Sequence, residues 1–491
     1  MGKTGDANSS VSSQYTMSKG MGWVGRINYS YQGKYLASAS IRYDGSSVLA
    51  EGNRWDTFPA FSLGWRISDE KFMEKTRTWL DNLKIRFGYG VTGTASINPY
   101  STATTLEQTN LAFGDKVQNT YRYRQYFANT ELGWEKSYNT NLGVDATFLN
   151  NRINMSLDFY WTKTKGVIWD RELPVTGGAY KSDNTMYKMY QNLCETKNRG
   201  IELSLNTRNI ITKDFTWTSD LTFSYNKEKI TELAQGVTNN YQRLDTDFAL
   251  TIGEPVNSYY QYKLDGIWQK GEEADAAVFG CAPGDIKINV PGMYKESDGK
   301  FYKINEETGD KIYYDKDNKY TYSSNDYQVL GHNSPDWSMG FKNTFTYKGF
   351  DLSIFMYWRW GQMIKYDMMG SYDPTGVSNF PEYFNYWTEN NPSNDFPAIN
   401  AGRPLTQYTG YSALVYQDGS FFKVKNITLG YTLPKSLLNR VGITNCRVYG
   451  TITNPIVVAK NSNLKDYDPE MNGSFDYPLT RQLVFGVNLS F

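Results

Sequence analysis

The chain has 491 residues, equal numbers of basic and acidic residues (51 each) and a mean hydropathy of -0.59. This balance gives no support to nucleic-acid binding or to any other mainly electrostatic role. No stretch approaches the ~20 consecutive apolar residues of a membrane-spanning helix, which excludes a helical membrane protein but leaves a barrel of alternating strands open. Aromatic residues make up 16% of the chain, with 40 Tyr and 13 Trp, and favour an all-β fold.

Apolar and polar residues alternate along the chain with the period of two that is typical of half-buried strands. In the first such segment Trp23, Ile27 and Tyr29 share one face, and Arg26 and Asn28 share the other. Thirteen segments of this kind are predicted as strands, near 21–31, 34–44, 58–68, 82–92, 138–148, 152–163, 199–208, 215–225, 336–347, 350–360, 420–432, 444–454 and 481–491. Each is about ten residues long, as a tilted membrane strand requires, whereas globular strands average about 5 to 6 residues.

The predicted connections alternate in length along the chain. Short ones lie at Gln32-Gly33, Leu149 to Asn151, Asn209 to Asp214 and Lys348-Gly349. Long ones are predicted at about 93–137, 164–198, 226–335, 361–419 and 455–480. Short turns at one rim and long extracellular loops at the other are typical of outer-membrane barrels. A soluble sandwich shows the same alternation within strands but no such rule for its connections.

The strand count and the beginning of the chain have consequences of their own. Bacterial single-chain outer-membrane barrels use even strand numbers, and an open sheet with two unpaired edges cannot sit in lipid. We therefore expect the remaining strands on another chain or segment, residues 1–20 as the remnant of an extracellular loop, and residues 21–491 as the C-terminal part of the barrel. The first ten residues show no secretory signal, so an exported protein beginning this way is expected to be a piece of a longer one.

The last predicted strand alternates in the same way and ends with the chain at Phe491. An amphipathic strand with a terminal Phe resembles the signal that the outer-membrane assembly machinery reads. Gly486 and Phe491 are the residues predicted to carry this insertion signal. The alternative is an edge strand that happens to end in Phe.

Metal and cofactor sites are not predicted. Cys194, Cys281 and Cys446 lack metal-ligand spacing, and the single histidine, His332, cannot form a cluster. Cys194 and Cys281 both fall in predicted loops, where a disulfide and two free thiols are both possible.

Several segments resemble the SusC/RagA-like TonB-linked outer-membrane proteins in the order expected for that family. They are Arg42–Ser47, Phe58–Trp65, Leu83–Gly93, Leu132–Lys136, Asn198–Glu202, Asp418–Pro434 and Tyr467–Glu470. The resemblance implies a 22-stranded barrel with an N-terminal plug, a TonB-contacting segment and a SusD-like lipoprotein lid. This sequence contains no plug and no TonB box, and about nine strands of such a barrel are missing from it.

The same resemblance implies a function. The chain would form part of an importer in the outer membrane of a Gram-negative bacterium that moves oligosaccharides or peptides into the periplasm. Its partners would be the SusD-like lipoprotein, the plug and remaining barrel, the TonB complex acting through that missing part, and membrane lipid. Stacking of Tyr-rich loops on sugar rings favours glycans over peptides.

Some residues are predicted to face the barrel lumen or the membrane interface. Arg26, Arg86, Tyr357 and Arg359 are expected to line the lumen. Tyr357 and Arg359, which lie at the outer end of a strand before a long loop, are the candidate ligand contacts; the alternative is a solvated lumen wall. Trp23, Trp161 and Trp360 are expected in the aromatic belt at the membrane interface.

Two other classes of protein compete with the importer. Asp265, Asp275 and Asp285 are candidate paired carboxylates of a glycosidase, but they lie in a polar stretch with Lys287 that is typical of a solvated loop. No nucleophile elbow, phosphate loop or metal triad appears, so the chain is not predicted to be an enzyme. The second alternative is a soluble or surface glycan-binding all-β protein without transport activity.

Overall fold

The computed structural model describes residues 15–491 except 105, 115, 124–125, 174–186, 235–236, 238, 240, 243–246, 372–373, 378, 381, 383, 439–441 and 475. Its main element is one antiparallel sheet of thirteen strands, in which strands that follow one another along this sheet are also hydrogen-bonded neighbours. The strands are β1 Gly20–Tyr31, β2 Tyr35–Ser46, β3 Trp55–Arg66, β4 Leu80–Thr94, β5 Glu135–Phe148, β6 Ile153–Glu172, β7 Lys188–Ile211, β8 Phe215–Leu233, β9 Trp337–Tyr347, β10 Phe350–Trp360, β11 Phe421–Thr432, β12 Asn445–Ala459 and β13 Gln482–Ser490. The predicted all-β antiparallel fold and the count of thirteen strands are confirmed.

Three strands are much longer than the alternation in the sequence predicts. β6, β7 and β8 have 20, 24 and 19 residues, so only 173–187 separates β6 from β7, and the predicted boundaries 164–198 and 226–335 are wrong by up to about ten residues. The reason is that the alternation set by lipid ends where the apolar band ends, whereas the backbone ladder continues among the connections, where Val167, Cys194 and Ile230 pack into a buried apolar cluster.

Two kinds of connection lie at opposite ends of the sheet. At the turn end, Gln32 and Gly33 have φ values of 52° and 67°, and Lys348 and Gly349 have 46° and 91°. Two consecutive positive values are typical of the type I′ turns that fit the twist of a hairpin. Two further turn-end connections, 67–79 and 433–444, are close to the lengths that the predicted strand bounds imply and are longer than these two-residue turns.

The long connections all leave the other end of the sheet, the loop end. They cover 95–134, 173–187, 234–336, 361–420 and 460–481, together with a shorter connection at 47–54. Their placement outside the cell stays a prediction.

The connections hold the remaining secondary structure. Strands in them are Leu106–Phe113, Lys116–Tyr123, Tyr241–Gln242, Phe248–Leu250, Ser258–Ile267, Ile286–Asn289, Tyr294–Lys295, Phe301–Ile304, Lys311–Tyr314, Tyr327–His332, Met363–Lys365 and Tyr416–Asp418. Helical turns are Glu51–Asn53, Ile67–Asp69, Lys71–Thr76, Glu273–Val278, Ser324–Asp326, Asp367–Ser371, Leu405–Gln407, Tyr411–Ala413, Lys435–Leu438, Ser462–Leu464 and Pro469–Met471. In the part of the chain that the structure describes, no helix is long and apolar enough to cross a bilayer.

Three long connections pack into one body, here called the loop cap and formed by 234–336, 361–420 and 460–481. Ile288, Phe396 and Leu464, one from each connection, belong to a single buried apolar cluster. Tyr366 and Phe396 are 2% and 1% exposed. The cap therefore has a core of the kind found in water-soluble domains, built from segments far apart in sequence.

The outward face of the sheet carries apolar side chains between two groups of aromatic rings. At the loop end Trp23, Tyr43 and Trp55 stack with centroids 5.2 to 6.0 Å apart. At the turn end Tyr35 stacks on Trp65 at 6.5 Å. Residues between these groups are exposed, for example Leu63 at 53%. An exposed apolar band with aromatic ends matches the lipid-facing surface of a membrane barrel.

Candidate functional site

The inward face of the sheet is polar and is tied together by side chains that reach across several strands. Arg86 on β4 donates to Asp145 on β5 at 2.8 and 3.0 Å and to Asp158 on β6 at 3.0 Å. The guanidinium lies over Gly143, where a Cβ would approach it to 2.6 Å. Arg86 thus lies on the predicted face, but it is held by two carboxylates and stabilises the pairing of three strands.

A second inward contact uses a glycine in the same way. Tyr160 on β6 donates from Oη to Asn226 on β8 at 2.9 Å. Its ring crosses the intervening strand at Gly200, where a Cβ would lie 2.3 Å from Oη. Glycine is required here because the Tyr160 ring and the backbone carbonyl of Tyr225 both approach the position of a Cβ closely.

Tyr357 and Arg359 lie on this inward face near the loop end of β10. Tyr357 pairs in register with Gly340 on β9 and Lys423 on β11. Its ring meets Phe421 edge-on at 6.0 Å, and Lys425 Nζ lies 5.0 Å from the ring centre. Arg359 is half-buried, and its guanidinium forms no hydrogen bond or ion pair with any described residue. Whether either residue contacts a ligand stays a prediction.

Tyr357 also lines a hollow of about 360 Å³ on the sheet. The other inward-facing residues around it are mostly small or hydroxylated: Ser156, Asp158, Glu202, Ser204, Thr222, Ser224, Ser338, Gly340 and Phe355. A surface with several hydroxyls, two carboxylates and one tyrosine offers both donors and acceptors, and one of the carboxylates, Asp158, is already paired with Arg86. Such a surface suits a polar, flexible molecule that makes many weak contacts.

An ion cluster next to this site was not predicted. Lys423 on β11 is completely buried, and its Nζ contacts Asp468 at 2.5 Å and Glu470 at 2.8 Å. Lys425 also pairs with Glu470. These contacts fasten the connection 460–481 to the strand that packs against Tyr357.

The charge state of this cluster follows from its contacts. Burial alone raises the pKa of Glu470, but hydrogen bonds and charge from Lys423 and Lys425 outweigh it, so the pKa is lowered. The segments Asp418–Pro434 and Tyr467–Glu470 were recognised separately, but nothing in either predicted their contact, because Lys423 and Asp468 are 45 residues apart.

The residues of the predicted insertion signal lie at the last strand. A Cβ on Gly486 would be 2.4 Å from the Tyr449 ring of the neighbouring strand, so this glycine accommodates the ring. Phe491 is 85% exposed and follows β13, which ends one residue earlier. Recognition of either residue by assembly machinery stays a prediction.

The candidate glycosidase acids do not form a pair. Asp275 bonds Lys295 at 2.6 Å, Asp285 bonds Arg403, and Asp265 lies in the strand Ser258–Ile267. Asp285 is buried, so the prediction of a solvated loop is wrong at this position because the loop cap encloses it. Lys287 pairs with Glu272 at 2.8 Å. Among the described residues, no group of three or more His, Cys, Asp or Glu could hold a metal ion.

All three cysteines are free, so the possible Cys194–Cys281 disulfide is not formed. Cys194 also lies within β7 rather than in a loop, because that strand extends beyond the apolar band. The two thiols belong to different apolar clusters. Burial raises the pKa of Cys281 to about 11, which makes its thiol unreactive at neutral pH.

These observations define the class of protein. A wide antiparallel sheet with an apolar, aromatic-edged outward face and an ion-paired polar inward face is the wall of an outer-membrane β-barrel. A family model described as "TonB dependent receptor-like, beta-barrel" matches residues 3–324. The chain belongs to this family, whose barrels lie in the bacterial outer membrane.

Similar proteins include TonB-dependent receptors and a peptide transporter of known structure. A TonB-dependent receptor of Formosa agariphila is 31% identical over 504 residues, covering 98% of this chain and 47% of the relative. TonB-dependent receptor SusC of Bacteroides thetaiotaomicron is 28% identical over 482 residues, covering 96% and 43%. The structure of the RagAB peptide transporter superposes with a TM-score of 0.79 at 26% identity, covering 100% of this chain and 49% of that one. The chain thus spans about half the length of the relatives it matches.

Proposed function

We propose that this chain forms part of the wall of a SusC-like, TonB-dependent importer in the outer membrane of a Gram-negative bacterium. The importer carries oligosaccharides or peptides into the periplasm and performs no chemistry on them. The observation that carries the proposal is the two-faced sheet, which turns apolar residues towards lipid and hydroxyls, amides and paired ions towards the lumen. This arrangement encloses an aqueous path within a membrane.

The comparisons support the partners proposed here. SusC is a TonB-dependent receptor, and RagAB is a peptide transporter. By analogy, a SusD-like surface lipoprotein closes the loop end of this barrel, and a plug in the remaining half responds to TonB. The loop cap is the part of this chain that would meet the lipoprotein, because it covers the loop end.

Tyr357 and Arg359 are proposed to contact the substrate during its passage. The Arg359 guanidinium has no internal partner among the described residues and can donate to sugar hydroxyls, peptide carbonyls or carboxylates. The neighbouring Tyr357 ring supplies a flat apolar surface with a hydroxyl at its edge. The Tyr357 ring beside the unpaired Arg359 guanidinium suits an oligomer of repeating polar units.

Membrane extraction tests the location. The full-length protein is expected to remain with outer membranes through a high-salt wash and to dissolve only in detergent. Release by salt would contradict the barrel and favour a surface glycan-binding protein.

Uptake by the full-length transporter tests the site. In cells that depend on this transporter, the double variant Tyr357→Ala, Arg359→Ala is expected to lower uptake of its substrate about tenfold, as loss of one charged hydrogen bond and one ring contact implies. Ser353→Ala, on the same strand and face nearer the turn end, is the matched control and is expected to transport normally. Labelled oligosaccharides and labelled peptides in parallel identify the substrate class. Normal uptake by the double variant would remove these residues from the path.

A further inference from the structure

Five cations lie together on the outward face of the sheet, just beyond the apolar band. This outer basic patch consists of Lys163, Lys197, Arg199, Lys227 and Lys229 on three adjacent strands, β6, β7 and β8. Outward-facing residues of β6, β7 and β8 that are paired in register form rows across these three strands. Phe159, Ile201 and Tyr225 form the last apolar row.

The next two rows towards the loop end contain the cations. In the first of these rows, Arg199 and Lys227 lie in register with Trp161. Lys163, Lys197 and Lys229 lie in register in the second. The change from apolar to cationic therefore takes place within one register step and on a single face.

The cations are poorly neutralised within the chain. Lys163 pairs with Glu195 at 2.6 Å, and the same carboxylate lies 3.9 Å from Lys165. Lys197, Arg199, Lys227 and Lys229 are exposed and form no ion pair with any residue that the structure describes. Like charges directly opposite one another on adjacent strands destabilise a sheet. Glu195 and Glu232 lie in register in the row beyond the lysines, but among the described residues only Glu195 pairs with a cation of the patch. An external anion would therefore offset the repulsion among the other four cations.

The patch surrounds a concavity rather than a flat surface. The five cations, together with Tyr138, Trp161 and Gly253, line a depression of about 630 Å³. Gly253 belongs to the connection 234–336, and its amide donates to Ile230 on β8 at 2.9 Å, which fixes this rim to the sheet. The volume lies within the range of about 300 to 1,000 Å³ typical of sites for organic ligands and is too large for inorganic phosphate alone.

We propose that the outer basic patch binds the phosphate-bearing headgroup of an outer-leaflet lipid. The apolar band continues directly below the patch, so acyl chains would lie on Phe159, Leu203 and Phe223 while the phosphate meets the lysines above them. Trp161 stands at the boundary, where indole rings favour the interface. A transported substrate does not reach this surface, because it faces away from the lumen. The inference goes beyond the importer's function but rests on the outward face meeting lipid.

The test measures lipid binding to the full-length transporter in detergent by native mass spectrometry. The probes are a phosphorylated glycolipid from the outer membrane, the same glycolipid after enzymatic dephosphorylation, and inorganic phosphate. The wild type is expected to bind the phosphorylated lipid at least about tenfold more tightly than the dephosphorylated one, with an affinity that falls as salt rises.

Substitutions locate the site. The variant K197Q/R199Q/K227Q/K229Q is expected to lose at least about tenfold in affinity for the phosphorylated lipid. The control K213Q/K316Q/K319Q/K465Q removes the same charge from cations of the connections and should bind normally, as should the charge-preserving variant K197R/K227R/K229R. If the four-residue patch variant does not assemble, K227Q/K229Q gives the same test with an expected loss of about threefold.

Three results would overturn the proposal: equal affinity for both glycolipids, unchanged affinity in an assembled patch variant, or inorganic phosphate binding as tightly as the lipid. Each is distinct from failure of the proposed function, which would appear as a protein that leaves the membrane in a salt wash or does not transport.

Discussion

The sheet and the loop cap use the same apolar residue types in opposite ways. In the cap, Phe396 is 1% exposed and packs within one cluster drawn from three connections. In the sheet, Phe61 is 44% exposed and its outward neighbours form a continuous surface. The surrounding solvent therefore determines whether apolar side chains point into a core or outward. The cap has a core because water surrounds it, whereas the sheet turns its apolar face outward because lipid surrounds it.

The largest effect is expected from a substitution in the core of the loop cap. Phe396→Ala is expected to cost about 3 to 5 kcal/mol of local stability, since it removes a fully buried ring and leaves a cavity. Hydrogen exchange in 361–420 is the measurement. The matched substitution Phe61→Ala in the sheet should cost less, because lipid refills the space; an equal loss at both positions would deny the contrast between the two regions.

Introducing a charge in each region distinguishes a surface that meets lipid from one that meets water. Leu63 lies within the apolar band, and Leu63→Arg is expected to cost about 2 to 4 kcal/mol of barrel stability. Leu405→Arg, at a half-exposed position of the cap, should be tolerated within about 0.5 kcal/mol. Urea unfolding in lipid vesicles measures both. Tolerance of Leu63→Arg would show that this face meets water.

The inward network gives an intermediate effect. Arg86→Ala leaves Asp145 and Asp158 facing each other without their shared cation. The expected loss is about 1 to 3 kcal/mol, reduced from the value for a fully buried pair because the arginine side chain is 31% exposed. Restoring stability by the further change Asp158→Asn would support the network, and an unchanged unfolding midpoint in Arg86→Ala would exclude it.

The smallest effect is expected from acid, which should weaken the ion pairs that hold the cap connection 460–481 to β11 of the sheet. The folded pKa of Glu470 lies below its ordinary value of 4.5, so its stabilising contribution is present above that value and lost as pH falls through the lowered folded value. Hydrogen exchange in 460–481, corrected for intrinsic pH dependence, should rise as the pH falls from 7 to below the ordinary carboxyl value of 4.5. Glu470→Gln should raise exchange at pH 7 and weaken the acid response; an acid response identical to that of the wild type would contradict this role.

The wall was largely predictable because its signal is local. A period of two, a length of about ten residues and turn residues such as Gln32-Gly33 are all visible within one hairpin. The inward position of Arg86, Tyr357 and Arg359 followed from the same alternation. The extent of β6, β7 and β8 was not predicted, since beyond the apolar band these strands pack against the connections and their pattern is no longer set by lipid on one face.

The cap and the ion cluster were not predictable because their contacts join distant segments. Nothing in the sequence around Phe396 shows that it meets Ile288 and Leu464, and nothing around Lys423 shows that Asp468 neutralises it. The outer basic patch was missed for the same reason, because its cations are spread over three strands and become adjacent only through their register.

The order of residues was enough to establish that the chain forms long amphipathic strands and which side chains of a strand share a face, because backbone geometry alternates faces residue by residue. Only the packing of the whole chain established which connections form a common core, where charges meet and where they remain unpaired. Those outcomes depend on strand register and loop closure, which bring together residues with no local relation.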